Sequence, residues 1–361
     1  MSTFQLLFDG TAADNDFYDL VSALEVEENA DLPGAISLTL PIGAKDGELS
    51  WVGDTRLQPY ANLAVVATAE GGQDQYLFDG YVLTHKVHLP TGLSGATVEV
   101  WGQDASVLMG LTEKAREWSG LSDADVAEQI LQEYGIDAAP ENSAEESPTH
   151  AEDTHTLMQR ASDADFLRRL AARTGRWFRV VCAGAPGKRS GFFAVPALDG
   201  SPATTIRVTD PETSAAAVLD FSWDVARPSA VTAWQASLTD ADPVDGGTSS
   251  SGLPDLDARG LAAFAGRDHT VLLTATADSD ALSAHSAGLL REAGWWLRCE
   301  GTADVGVLKH VLRVGSIVAI EGCGALFSGN WLVWSVRHTF TLTAHTMAFT
   351  LVRNAIGPEP R

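Results

Sequence analysis

Three observations predict a β-dominated α+β fold for this chain. Short runs of alternating or β-branched apolar residues, bounded by Gly, Pro and Asp, recur along most of its length. Two helical segments with marked caps interrupt them. A Gly-started strand with its partner strand occurs once early and once near the C-terminus.

Taken in order, Ala35–Pro41 and Leu63–Ala69 read as strands. In Tyr81–Leu89, Tyr81, Leu83, Val87 and Leu89 share one face, while Thr84, Lys86 and His88 share the other, so one face meets a core. Ala96–Trp101 returns as the partner strand, and residues 1–104 form the first β unit. Residues 105–175 are helical. Ser122 and Asp125 make a capping box, Val126, Ile130 and Tyr134 follow at helical spacing, and Gly135 stops the helix. Ser162 caps a second helix, with Phe166, Leu167, Leu170 and Ala171 as its apolar stripe and Gly175 as its end. Its Arg168, Arg169 and Arg173 read as a solvated face. Between the helices, Asp137–Asp153 reads as an exposed acidic loop.

Strands resume at Trp177–Val181 and Phe192–Val195 and open a second β unit, residues 176–235 and 295–355. Residues 236–294 are an insertion, with a strand at His269–Ala277 and a capped helix at Ser279–Ala293. Three strands close the unit, at Ser316–Glu321, Trp331–Phe340 and Met347–Arg353, and residues 356–361 form a tail. The repeat aligns Leu77–Gly80 with Leu326–Gly329, each leading to a β-branched partner strand, Thr97–Trp101 and Met347–Val352.

At 361 residues the chain exceeds one ordinary core. Its 45% hydrophobic and 20% charged residues suit a packed protein, and a formal net charge of −24 opposes any grip on nucleic acid. Such a surface lets DNA or acidic cargo slide past. Cys182, Cys299 and Cys323 lack metal or redox spacing and read as free thiols of a reducing cytoplasm. Neither a leader nor a membrane-spanning run is legible.

No catalytic, cofactor-binding or metal-binding residue is predicted. Gly184–Ser190 approximates a phosphate loop, but Cys182 stands at the first glycine position, Arg189 at the Ser/Thr position, and the loop joins two strands, where a phosphate loop precedes a helix. His85 and His88 point to opposite faces of a strand and cannot share an ion, so His85 reads as a core histidine with a hydrogen-bond partner. His150 and His155 lie in or beside the acidic loop without ligand spacing. No G-x-S-x-G, H-E-x-x-H or G-x-G-x-x-G occurs, so an enzyme is disfavoured. Of the ten tryptophans, the adjacent Trp295 and Trp296 are expected on opposite faces of a strand, one of them free to anchor a subunit interface.

Residues Gln159–Ala171, ending at Gly175, resemble the signature helix of the phage late control gene D family, which also occurs in the hub part of type VI secretion VgrG spikes. Arg313–Val318, Phe327–Gly329 with Val333–His338, and Thr346–Arg353 resemble its closing strands. The resemblance implies two tube-like β-barrel domains per subunit and a homotrimeric ring of sixfold pseudosymmetry, a structural baseplate hub with the tail tube above and a spike below. Since the chain ends at Pro358–Arg361 without a spike-forming domain, a separate spike protein is expected. Other baseplate proteins are further expected partners, with assembly in the bacterial cytoplasm and a place in a virion or injection-particle baseplate. A cargo-binding or adaptor module and a cell-wall-degrading tail enzyme are the alternatives.

Overall fold

Period-two alternation in the N-terminal hundred residues builds six antiparallel strands: β1 (Thr3–Phe8), β2 (Ala23–Asn29), β3 (Ala35–Pro41), β4 (Asn62–Thr68), β5 (Asp74–His88) and β6 (Thr97–Asp104). The computed structural model describes residues 3–142, 149–150, 156–208, 216–236, 243–273, 279–341 and 343–359. The strands lie in the order β1-β4-β5-β6-β3-β2. Strand β5 starts well before the expected Tyr81. Its first half pairs with β4 and its second half with β6, and the change of partner falls at Gly80–Val82. The backbones approach so closely there that a Cβ on Gly80 would sit 2.1 Å from the Gln103 carbonyl oxygen. A bulge at Leu83 follows at once and re-aims the strand.

The middle of the chain forms β7 (Glu113–Trp118), α1 (Asp123–Glu133), β8 (Leu157–Ser162), α2 (Asp163–Arg173), β9 (Trp177–Cys182) and β10 (Arg189–Ala194). Both helices begin as expected. The Ser122 Oγ accepts from the Asp125 amide and the Asp125 carboxylate accepts from the Ser122 amide, while the Ser162 Oγ accepts from the Asp165 amide. The β9–β10 hairpin joins this part: Phe178, Val180 and Phe193 share a core with Val126, Ile130, Leu167 and Leu170. A second β unit starting at residue 176 is therefore corrected, because the apolar face of the hairpin is covered by the helices. The acidic loop is tied at both ends, Asp137–Ala138 beside Ser190–Gly191 and Thr149–His150 beside Leu121–Ser122. Residues 143–148 and 151–155, with His155, lie outside the described residues.

The second β unit opens with β11 (Thr205–Arg207) and β12 (Ala216–Trp223) and is then interrupted by an insertion. The insertion holds β13 (Ala230–Ala236), β14 (Thr270–Leu273) and α3 (Ser279–Ala293) around a small core of Val231, Ala233, Leu282 and Leu290. It thus begins before residue 236, since β13 pairs with β14. Residues 274–277 of the expected strand lie outside the described residues. The unit then closes with β15 (Leu297–Asp304), β16 (Ile317–Glu321), β17 (Gly329–Phe340) and β18 (His345–Arg353). Trp295 and Trp296 precede β15, and both are buried, so neither is free to anchor a subunit interface.

The strand order here is β11-β16-β17-β18-β15-β12. Numbered within each unit, both orders read first, fourth, fifth, sixth, third, second. β17 repeats the behaviour of β5, pairing first with β16 and then with β18, with a bulge at Trp334. One difference is that β11 runs parallel to β16, whereas β1 is antiparallel to β4. The repeat is real, but its expected register is not. Leu326 and Phe327 belong to a short helix, Gly324–Phe327, whereas Leu77 and Phe78 lie within a strand.

The two units form one sheet. Ser335–Phe340 of β17 pair antiparallel with Asn29–Leu24 of β2, so these twelve strands and the two-residue strand Thr11–Ala12 beside β1 make one thirteen-stranded sheet among the described residues. One apolar core underlies both, from Leu6 and Leu24 through Val336, Phe349 and Leu351.

Candidate functional surface: one polar sheet face and its two open edges

Because successive side chains alternate, burial of one face of this sheet leaves the other to solvent. Glu25, Glu27, Ser37, Glu99, Lys86, Arg298, Glu300, Thr302, Arg337 and Ala348 lie on that outer face. Its cations are locally neutralised: Lys86 stands 3.8 Å from Glu99, Arg298 2.8 Å from Glu300 and Arg337 3.1 Å from Glu27. Glu25 and Asp220 add negative charge. A shallow groove of 390 Å³ crosses it, lined by Glu27, Asp220, Glu300, Gly301, Arg337 and Phe349. Polyphosphate meets no uncompensated basic stripe on this face.

The face ends at two strand edges. Among the described residues, the second half of β5 has β6 on one side and no strand on the other, and β12 pairs only with β15. Large apolar side chains are exposed at both: Val87 39% and Leu89 48% on the first, Val218 53% and Trp223 51% on the second. Where β2 covers β17, the corresponding side chains are buried, with His338 at 0% and Phe340 at 2%.

A buried ionic cluster holds the units and the helical part together. The Arg313 guanidinium donates to both Glu28 oxygens at 2.6–2.9 Å and to the Tyr76 carbonyl at 2.9 Å. Burial opposes the Arg313 charge, but the Glu28 carboxylate outweighs it and raises the arginine above its ordinary value. Arg179 donates to the Val314 carbonyl at 3.1 Å. Asp104 accepts from the Gly34 and Ser106 amides, and burial nonetheless pushes its carboxyl up.

The same packing disposes of the residues singled out in the sequence. In the Gly184–Ser190 turn, the Gly187 amide donates to the Asp79 carboxylate at 2.7 Å and Arg189 pairs with Asp79 at 3.1 Å, so the protein's own carboxylate takes both donors. His85 Nε2 lies 2.5 Å from the Leu57 carbonyl oxygen, as a core histidine with a partner, and His88 is exposed on the polar face. His150 is buried, its Nε2 2.6 Å from Asp123, which also receives Arg173 at 2.9 Å. Arg173 is therefore corrected from a solvated residue to an ion-pair partner of a buried carboxylate. Arg168 reaches Ser106 at 3.2 Å, and Arg169 is exposed. The Cys182 and Cys299 thiols are pushed up to about 12 by burial and do not titrate near neutrality. Among the described residues no group of three or more His, Cys, Asp or Glu is placed to hold a metal ion.

Sequence reasoning missed the two open edges and the buried aspartates Asp123 and Asp163. A signal for the aspartates exists: Ser-Asp-Ala-Asp recurs at Ser122 and Ser162, each followed by a helix and then a glycine. In each copy the first aspartate is buried and paired, Asp163 with Lys114, Gln159 and Tyr134.

The model of the Alg8 N-terminal domain family matches residues 1–341. No curated protein matches the sequence. Among solved structures, the 43 kDa tail protein of prophage MuSo2 from Shewanella oneidensis superposes with a TM-score of 0.69 at 12% identity, covering 99% of this chain and 100% of that one. A tail protein from Neisseria meningitidis gives 0.67 at 12% identity, covering 98% and 97%. An Escherichia coli type VI secretion component, described as similar to the T4 bacteriophage tail proteins gp27 and gp5, gives 0.57 at 12%, covering 99% and 79%. At these identities the likeness establishes the fold, that of phage tail proteins, and so carries the expected late control gene D resemblance only at that level.

Proposed function

The chain belongs to the Alg8 N-terminal domain family, and with its tail-protein fold as a second premise we propose that it is a structural baseplate hub of a contractile tail or tail-like injection machine. In this reading three copies close into a ring, a tail tube docks above and a separate spike below. The observation that carries the reading is the duplicated strand order, joined into one sheet by β17 and β2. A sixfold tube offers six equivalent docking edges and a threefold spike three; a subunit with two like β units meets both.

Further support comes from the outer sheet face. As the wall of a channel it carries paired charges among Ser, Thr and Ala side chains, with a negative surplus that does not retain DNA or acidic cargo. Two barrels per subunit belong to the same proposal, each closing only when a neighbour lies alongside. Mass measurement of assembled baseplates tests it: three copies per particle, bound to tube and spike, are expected, and six copies would refute the symmetry argument. Peptidoglycan turnover abolished by one carboxylate substitution would replace the hub with the enzyme alternative.

A further inference from the structure

We infer that the ring closes by strand addition, β12 of one copy lying along the free edge of β5 in the next, with Val87 facing Phe221 and His88 facing Asp220. The inference rests on the ring reading above and names the surfaces that make the joint.

Equivalent positions of the two units are pinned by backbone contacts. Val82 donates to the Ala61 carbonyl and accepts from the Tyr60 amide at 3.0 and 2.8 Å; Val333 donates to the Ser316 carbonyl and accepts from the Gly315 amide, both at 2.9 Å. Val82 thus corresponds to Val333, and the bulged residues Leu83 and Trp334 correspond in turn. The next strands carry the match outward. Thr84 faces Trp101, which faces Ser37, which faces Glu25; Ser335 faces Thr350, which faces Glu300, which faces Asp220. Strand β12 is therefore the counterpart of β2, with Leu219 for Leu24, Asp220 for Glu25 and Phe221 for Val26.

Within the chain the counterpart joint is already made. His338 faces Val26, Thr339 faces Glu25, Phe340 faces Leu24, and the Ala30 amide donates to the Trp334 carbonyl at 2.9 Å. Transferred to the open edges, this register sets Val87 against Phe221, His88 against Asp220 and Leu89 against Leu219, with the Val225 amide donating to the Leu83 carbonyl. Apolar side chains then meet on the core face and polar ones on the outer face, as at the existing seam. The exposure of Val87, Leu89 and Trp223 is what that seam would show with one strand removed. The two edges differ, so the contact is head-to-tail, the kind that forms a ring when its rotation closes.

Opposed residues of antiparallel strands lie about 4.5–5.5 Å apart at Cα, within disulfide range. His88 and Asp220 are both exposed and suit cysteine substitution. The experiment mixes His88→Cys and Asp220→Cys chains under assembly conditions, oxidises them, and measures covalent oligomer on non-reducing gels and total mass by light scattering. The unsubstituted chain controls for Cys182, Cys299 and Cys323, and a Lys86→Cys with Asp220→Cys mixture probes a two-residue slip. The 88/220 mixture is expected to cross-link about tenfold more than the 86/220 mixture, neither substituted chain cross-linking alone. Trimers that cross-link equally or not at all would overturn the register and leave the ring reading standing; chains that remain monomeric with tube and spike present would overturn both. Hydrogen exchange on the unsubstituted protein reads the joint independently: amides of residues 83–89 and 218–225 gain protection in the trimer, and unchanged exchange there refutes the joint.

Discussion

Replacing Arg313 by Met tests whether the ionic cluster locks the two β units together. Glu28 is 5% exposed, and Arg313 supplies it with paired donors while also reaching the Tyr76 carbonyl. Removing the cation leaves a buried carboxylate without its partner, which costs ~3–5 kcal/mol. The Arg313 side chain is one quarter exposed, so water reaches the vacated site and the low end, about 3 kcal/mol, is expected. Urea unfolding followed by tryptophan fluorescence should show a lower midpoint with an unchanged slope. Glu28→Gln added to the same chain removes the stranded charge and should restore more than half of the loss, a coupling that a double-mutant cycle reads directly. A single variant within about 1 kcal/mol of the original chain, or a double variant no better than the single, would refute the lock.

Two further outcomes follow from buried groups. His338 Nδ1 and His345 Nε2 lie 3.0 Å apart in the core, and burial depresses both, His345 to about 4. Their folded values lie below the ordinary 6.5, so the stability they contribute is complete above that pH and is lost as pH falls toward 4. The His345 shift corresponds to on the order of 3 kcal/mol, and His345→Phe should flatten the pH dependence of the urea midpoint in that window; an equally steep profile in the variant would exclude the pair as its source. At the crossover, Gly80→Ala forces a methyl into the Gln103 carbonyl and should destabilise the first unit by about 3 kcal/mol or leave it insoluble, whereas Gly10→Ala, with open space around its position but a left-handed backbone, should cost only about 1 kcal/mol. Equal midpoints for the two variants would count against the close approach.

Much of the fold was legible where one physical rule decided a segment. Ser122 with Asp125 and Ser162 with Asp165 could only be helix starts, and the alternation in Ala35–Pro41 could only be a half-buried strand. Strand β2 was not legible, because Ala-Leu-Glu-Val-Glu-Glu-Asn suits a helix as well as a strand by composition. Its outward Glu25 and Glu27 are set by the polar face and its Glu28 by an arginine 285 positions away. The β9–β10 hairpin is legible as a strand pair but its layer is not, since alternation reports that a face is covered and not which element covers it.

That same limit explains why the candidate surface is invisible one residue at a time. Val87 and His338 occupy matching places on matching strands, and Phe221 matches Val26; nothing in either run distinguishes a covered edge from an open one. The difference is whether β2 happens to lie alongside, and this becomes apparent only when the pairing of both units is compared. Among the described residues the duplicated module, joined once through its edges, retains one unmatched edge at each end, β5 in the first unit and β12 in the second. A monomer of this chain therefore exposes the two halves of a joint it has already made internally, and head-to-tail closure is the arrangement that covers both with the packing the chain already uses.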